Sequence, residues 1–154
     1  MSVDTTALAR RWRLEINAGT DVAPDWQQVI AVSEFTPKMP PNFEEDSTYD
    51  SGGWKGNTKT GQEWSVETTI SRKIDDQAKV YHPTHEQLRL AAFASGSASK
   101  VGVRWMDRNG LPEAYSGKAL VTWEPQGGAY TDLDTVKVTL TGDGALTPIT
   151  NPLA

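Results

Sequence analysis

The chain has 154 residues, 37% of them hydrophobic, and carries a formal net charge of −5 with an isoelectric point near 5.0. A chain of this length is typical of one domain with a substantial core, and its acidic balance argues against a surface built to grip phosphates. The absence of cysteine excludes disulfides, thiolate metal sites and cysteine nucleophiles.

The longest apolar run, Leu90–Ala94, is far shorter than a membrane span. The first fifteen residues also lack the apolar region of a signal peptide. We therefore expect a protein without a membrane anchor that stays in the cytoplasm where it is made.

Apolar and polar residues alternate with a period of two along most of the chain, which predicts β-strands. The first strand is predicted at residues 11–17, with Trp12, Leu14 and Ile16 on one face. The second is predicted at residues 26–35, where the continuous apolar centre Val29–Val32 indicates burial on both faces.

Residues 36–61 form a long segment rich in proline, glycine, aspartate and asparagine. Structureless loops of this length are uncommon in compact domains and are usually disordered or used for binding. The segment also contains apolar side chains that a solvated linker does not need. We predict an intersubunit arm, disordered in the free monomer, whose candidate contact residues are Met39, Phe43, Glu44, Glu45, Asp46, Tyr49, Trp54, Lys55 and Lys59.

A third strand is predicted at residues 63–73, with Trp64, Val66, Thr68 and Ile70 on its apolar face. A helix is then predicted at residues 84–95, starting with a capping box formed by Thr84 and Gln87. Further strands alternate to residue 141 and are separated by turns that contain Asn-Gly and Gly-Gly. We predict one domain at residues 1–141, followed by a mobile extension without a pattern at residues 142–154.

These elements predict a mainly β fold: a β-sandwich or open barrel of about six to seven strands, with one inserted α-helix and a long hairpin loop. Such a sheet has edges that invite pairing with another chain. Closure of a ring between identical subunits would remove those edges.

Neither candidate cluster of polar residues fits a catalytic or metal site. His82, His85 and Glu86 have no further histidine or cysteine to complete a zinc site, and we interpret them as exposed polar residues at a helix N-terminus. The acidic cluster in the arm lacks the spacing of a calcium loop and the fixed separation of a glycosidase pair. No catalytic motif is present, so we predict no enzyme, no catalytic residues, no metal site and no cofactor.

The six tryptophans leave an alternative open, because exposed tryptophans on a β-sandwich can stack on sugar rings. Four of them lie on the apolar side of their predicted strands, which favours packing in a core or an interface: Trp12, Trp64, Trp105 and Trp123. Trp54 and Trp26 lie in polar surroundings, and Trp54 belongs to the arm, where an aromatic anchor is typical of an interface.

The order of these elements resembles the major tail protein, or tail tube, family of long-tailed bacteriophages. The likeness extends over nearly the whole chain and includes the segment WKGNTKTGQEWSVETTISRK and the hairpin VRWMDRNGLPEAYSGKALVT. The resemblance implies a fold shared with the tube protein of type VI secretion. Some family members carry an added immunoglobulin-like domain, for which we expect no room in this chain.

The resemblance implies a virion structural protein, made in the cytoplasm of a host bacterium and located in the tail. Its implied partner is itself, in rings of six stacked into a tube through which DNA passes without sequence-specific binding. It also implies a tape-measure protein, a tail terminator and tail-tip proteins as partners. Polar residues of the third strand become candidates for facing the lumen: Glu63, Ser65, Glu67, Thr69 and Ser71.

An acidic ring suits a DNA conduit, because six copies at −5 each would carry a formal charge of about −30. Three alternatives remain open at this point. They are a carbohydrate-binding β-sandwich, a single-ring tail terminator or connector protein, and a small hydrolase whose nucleophile cannot be named.

Overall fold

A computed structural model describes residues 4–154, whose largest element is a seven-stranded sheet curled into a half-barrel. The helix α1 (Pro83–Phe93) is the one α-helix of this part of the chain, and short 3₁₀ turns lie at Ala9–Arg11, Tyr49–Ser51 and Gly96–Ser99. The mainly β fold predicted from the sequence is confirmed. The strands are β1 (Trp12–Asn17), β2 (Trp26–Gln28), β3 (Val32–Lys38), β4 (Pro41–Glu45), β5 (Asn57–Gln62), β6 (Ser65–Ser71), β7 (Ile74–Asp75), β8 (Val80–Tyr81), β9 (Lys100–Asp107), β10 (Ala114–Pro125) and β11 (Thr135–Pro148).

The strands of the large sheet follow the order β2-β1-β9-β10-β11-β6-β3, and all its neighbours are antiparallel. The meander β9-β10-β11 forms the centre, and strands from the first half of the chain flank it on both sides. β4 pairs with β5, and β7 pairs with β8, in two separate two-stranded ladders. The predicted domain starts at residue 1, and residues 1–3 lie outside the described part.

The two ends of the large sheet are joined by residues Val29–Ala31, which we call the crossing segment. β2 and β3 are consecutive in the chain but lie at opposite ends of the sheet. The Val29 N–H donates to the Leu14 carbonyl oxygen at 2.9 Å, and the Ala31 carbonyl oxygen accepts from the Ser71 N–H at 2.9 Å. The chain thus leaves β1 and pairs with β6 within three residues, which holds the sheet in its curled form.

The crossing segment corrects the prediction of one strand at residues 26–35. Ala31 has a φ of 60°, in the left-handed region that residues other than glycine rarely adopt. This turn of the backbone divides the predicted strand into β2 and β3, which have different partners. Burial of the apolar centre is only partly as expected, since Val29 is buried while Ile30 to Val32 are half-buried.

The core lies against one face of the large sheet and is centred on Trp64 and Trp105, whose rings are 5.7 Å apart. Two glycines make room for Trp64. A Cβ atom on Gly117 would lie 2.7 Å from its indole ring, and one on Gly142 would overlap the ring. The Trp64 Nε1–H donates to the Gly144 carbonyl oxygen at 3.1 Å, so the buried indole is also satisfied.

The helix starts one residue earlier than predicted and has a different cap. Pro83 occupies the first turn, where its missing N–H costs nothing, and His82 is the N-cap: its Nδ1 accepts from the Thr84 N–H at 3.4 Å. The predicted capping box is wrong because Gln87 donates instead to the Asn17 carbonyl oxygen at 2.7 Å. The helix ends at Phe93, and its buried face consists of Thr84, His85, Leu88 and Ala91.

Residues 142–148 belong to β11, so the expectation of an unpatterned tail from residue 142 is wrong for this stretch. The strand pairs with β10 as far as Pro148, with a register shift at Ser116 to Lys118. Asn151 then fastens the end of the chain, because its side-chain amide donates to the carbonyl oxygens of Asp107 at 2.8 Å and Leu111 at 2.6 Å. Over residues 4–154, no helix has the length and apolar character needed to cross a membrane.

Candidate functional site

The predicted arm is an ordered hairpin in the structure, where it spans residues 39–63. β4 and β5 pair from Pro41 with Gln62 to Glu45 with Asn57, with a register shift at Asn42 to Phe43. The arm continues the ladder of β3 with β6, because the Glu63 N–H donates to the Pro40 carbonyl oxygen at 3.3 Å. The prediction of a structureless segment at residues 36–61 is therefore wrong, since polar strands can pair in a ladder without burying a face.

The tip of the arm, residues 46–56, is held by local hydrogen bonds in place of a core. The Asp46 N–H donates to the Gly56 carbonyl oxygen at 3.0 Å, and the Gly56 N–H donates to Ser47 Oγ at 2.8 Å. Thr48 and Ser51 cap the 3₁₀ turn reciprocally, and Asp46 accepts from the Thr58 hydroxyl. The tip is thus defined by its own hydrogen bonds before it meets any partner.

Large apolar side chains on the arm lie open to solvent. The exposed fraction is 57% for Phe43, 82% for Trp54 and complete for Tyr49. Such side chains are typical anchors of protein interfaces. Met39 differs from them, since it is half-buried and packs against the core of its own copy at the base of the arm.

The charges of the arm are unevenly distributed. Four carboxylates lie between Glu44 and Asp50, and no lysine or arginine lies among them. Lys55 and Lys59 follow on the other side of the tip, and the Lys59 Nζ donates to Gln62 Oε1 at 2.7 Å. All these side chains are exposed, so their charges are available to a partner.

The predicted polar face of the third strand is opposite to the core. Trp64, Val66, Thr68 and Ile70 are buried, and the residues that alternate with them are half-buried or exposed: Glu63, Ser65, Glu67, Thr69 and Ser71. Glu67 forms an ion pair with Lys38 of the neighbouring strand at 3.2 Å. That this face lines a lumen stays a prediction.

The two histidines have structural roles, and the expectation that His85 is exposed is wrong. His85 is 1% exposed. Its Nδ1 accepts from the Lys73 N–H at 3.4 Å, and its Nε2 lies 2.9 Å from the Ile30 carbonyl oxygen, to which it donates in this tautomer. His85 therefore fastens α1 to the crossing segment.

Burial lowers the pKa of His85, and the nearby positive charges of His82, Arg72 and Lys73 act in the same direction. The hydrogen bond to the Ile30 carbonyl oxygen opposes these effects. The sequence signal that could have placed His85 inside is its position one turn before Leu88 on the apolar face of the helix.

The tryptophans pack largely as predicted. Trp64 and Trp105 are buried, and Trp12 and Trp123 are half-buried against the core. Trp26 is half-buried under the guanidinium of Arg104, whose Cζ lies 4.5 Å from the ring centroid. Trp54 alone among the six is widely exposed, which leaves the carbohydrate-binding alternative without a platform of adjacent exposed indoles.

The sequence alone does not predict a buried cluster of charged side chains on the polar side of β1. Glu15 is 3% exposed and binds two arginines, Arg13 at 2.9 Å and Arg104 at 2.6 Å. The alternation of β1 predicts that Glu15 faces solvent. Its burial depends on Arg104, which lies 89 residues further along the chain. The pairing of β9 with β1 brings the two side chains together.

No protein-family model matches the sequence, and no curated protein sequence matches it either. Solved structures do resemble it in fold. A protein from the tail of an empty gene transfer agent particle with C6 symmetry superposes with a TM-score of 0.72 at 11% identity, covering 94% of this chain and all of that one.

Two further similar structures come from other particles. The tail tube of SPP1 gives a TM-score of 0.66 at 11% identity over 96% of this chain and 83% of that one. A protein of the sheath–tube complex of an extracellular contractile injection system (PVC) gives 0.63 at 10% identity over 96% of this chain and 95% of that one. The chain therefore has the tail tube fold that its sequence resemblance predicted.

Proposed function

We propose that this protein is the structural subunit of a tail tube, which assembles with copies of itself into rings of six that stack into a hollow conduit for DNA. The observation that carries the proposal is the likeness in fold along almost the full length of both chains, 94% and 100% for the gene transfer agent tail. The C6 symmetry of that tail supports a ring of six.

The features of the arm support self-assembly independently of the fold. Every residue of β4 and β5 is exposed, so the hairpin contributes nothing to the core of its own copy. Its exposed aromatic side chains gain stabilisation only when another surface covers them. Because the tip is ordered by its own hydrogen bonds, docking costs less conformational entropy than the folding of a disordered loop would.

The charge of the chain supports a role as a conduit. A ring of six would carry a formal charge of about −30, which repels phosphates and allows DNA to move without sticking. Our candidate for the surface that lines the lumen is the polar face of β6, which includes Glu67 and is preceded by Glu63. A tape-measure protein, a tail terminator and tail-tip proteins are the partners that this role requires.

Negative-stain electron microscopy of the purified protein over a range of concentrations tests the proposal. We expect tubes or stacked rings, with a mass that rises with concentration in light scattering. Lone rings of fixed size would favour a terminator or connector protein. Monomers at millimolar concentration would overturn the proposal and favour a binding module.

Deletion of Asn42–Lys59 is the matched test of the arm. We expect a folded monomer that still unfolds cooperatively but forms no tubes, because none of the deleted residues belongs to the core or packs against it. Trp54→Ala should weaken assembly while changing the free energy of unfolding by less than about 0.5 kcal/mol. Tubes of normal length from the deletion variant would remove the arm from the mechanism.

A further inference from the structure

A cleft of about 460 Å³ lies where the curled sheet is not closed by backbone hydrogen bonds. β2 covers β1 only from Glu15 to Asn17, so the first residues of β1 face β3 without pairing to it. Trp12 and Phe35 contact each other across this gap, with ring centroids 5.9 Å apart, and both line the cleft. The outer edge of β3 is unpaired along the same cleft, since β3 pairs only with β6.

Two arginines border this cleft, which we call the arginine cleft (lined by Arg10, Trp12, Ser33, Glu34, Phe35 and Arg108). Arg10 and Arg108 are both exposed. Within residues 4–154, neither guanidinium has a carboxylate at ion-pair distance. The Arg108 guanidinium donates to the Trp12 carbonyl oxygen at 3.0 Å. Glu34 is the one acidic residue in the lining, so the cleft carries a net positive charge.

The arm carries the complementary charge on its exposed hairpin. We call residues Glu44–Asp50 the acidic tip; they comprise four carboxylates, no cation and the fully exposed Tyr49. None of the four carboxylates forms an ion pair in the described part of the chain. An aromatic side chain beside carboxylates that form no ion pair matches a cleft lined by two aromatic rings and by two guanidinium groups without a carboxylate partner.

One copy cannot fill its own cleft with its own tip. The cleft lies beside residues 32–36 of β3, and the arm continues the same ladder away from it. Glu44 lies eight positions after Thr36 in the chain, which corresponds to about 26 Å of extended strand. A projection and a complementary cleft at different places on one molecule join copies head to tail, which gives a closed ring or an open filament depending on the rotation between copies.

We propose that the acidic tip of one copy binds in the arginine cleft of another copy and so joins successive copies along the growing assembly. This inference rests on the proposed function and names the surface that receives the arm. Successive copies are joined at a spacing of the order of the reach of the arm, and salt weakens the joint because its ion pairs are at the surface.

Charge reversal with rescue tests the pairing. The cleft variant carries Arg10→Glu and Arg108→Glu, and the tip variant carries Glu44→Lys and Asp50→Lys. We expect each variant to raise the protein concentration needed for assembly at least tenfold, and a chain with all four substitutions to recover assembly at low salt. Lys79→Glu with Lys137→Glu is the control, since it matches the charge change of the cleft variant at sites away from the cleft.

A crosslink gives a second readout that needs no loss of assembly. The chain has no cysteine, so Ser33→Cys with Asp50→Cys introduces one thiol at the cleft and one at the tip. Oxidation should produce ladders of covalent multimers, whereas either single substitution should produce dimers at most. Each variant is first checked for an unchanged circular dichroism spectrum.

The outcomes separate this inference from the proposed function. Wild-type tubes together with reversal variants that assemble equally well, or a four-substitution chain that is no better than its parents, overturn the tip and cleft pairing alone. A wild-type protein that stays monomeric at every concentration overturns both.

Discussion

The indole of Trp64 lies across β10 and β11 at the positions where those strands have glycine, Gly117 and Gly142. The sequence predicted that Trp64 faces inward, because it falls on the apolar side of an alternating strand. It could not predict which residues make room for the ring. That information depends on β6 lying next to β11, and the two strands are about 70 residues apart in the chain.

Gly142→Ala should destabilise the protein by about 1–3 kcal/mol, because the added methyl group overlaps the Trp64 ring in a packed core. Denaturant unfolding followed by tryptophan fluorescence measures the loss. Gly61→Ala in the arm is the control, since its Cβ would meet only Asn42 at 4.0 Å and the change should stay within about 0.5 kcal/mol. Equal effects of the two substitutions would contradict this account of Trp64.

His85 should make stability depend on pH, because its pKa is lowered in the folded protein, first by burial. The unfolded chain therefore binds a proton more readily, with a histidine pKa of about 6.5. The contribution of neutral His85 is fully present above that pH and is lost as the pH falls below it, by up to about 1.4 kcal/mol per unit.

His85→Gln should flatten this dependence below about pH 6.5, since glutamine does not titrate. Urea unfolding at a series of pH values measures the slope, and an NMR titration of the imidazole signals reports the pKa directly. A ring that titrates at or above the ordinary histidine pKa would contradict the role we give to its burial.

At the scale of elements, the sequence predicted the strands that bury an apolar face and missed the strands that do not. Period-two alternation located β1, β6 and β9 correctly, because each has one face in the core. β4 and β5 are exposed along their whole length, and the end of β11 has only Leu146 against the core, so no hydrophobic alternation marks them. The aromatic anchors of the arm could be predicted from the sequence. The arginine cleft could not, because it brings together residues 10, 34 and 108, which are far apart in the chain.

Removal of residues 142–154 should destabilise the protein by several kcal/mol, because β10 loses part of its partner and both hydrogen bonds of Asn151 are lost. Thermal unfolding measures the effect as a lower melting temperature. Removal of Leu153 and Ala154 alone is the control and should have a small effect, since Asn151 remains. A truncated chain as stable as the full one would restore the view of residues 142–154 as a dispensable extension.

At the scale of the whole molecule, the crossing segment joins the two ends of the sheet, the ladder of β1 with β9 and the ladder of β3 with β6. β1 pairs with β9, and β3 pairs with β6, so the first half of the chain contributes both flanks of the sheet. The two flanks are held together by Val29–Ala31 and by His85 from α1. Resemblance to a family predicted the overall sheet, but the partner change within one predicted strand depends on the left-handed residue Ala31, which carries no sequence signal.

The strand order also has a consequence for biosynthesis. The meander β9-β10-β11 leaves the ribosome after both flanks, yet it is the centre to which both flanks must pair. A nascent polypeptide that stops before residue 100 can form β3 with β6 and β1 with β2, but it lacks the three central strands to which both pairs bind through backbone hydrogen bonds. We expect ribosome-arrested chains of that length to be digested readily by protease, and released full-length chains to resist. Subunits would then become competent to join one another only after the meander has been synthesised, which delays polymerisation until both flanks have their central partner.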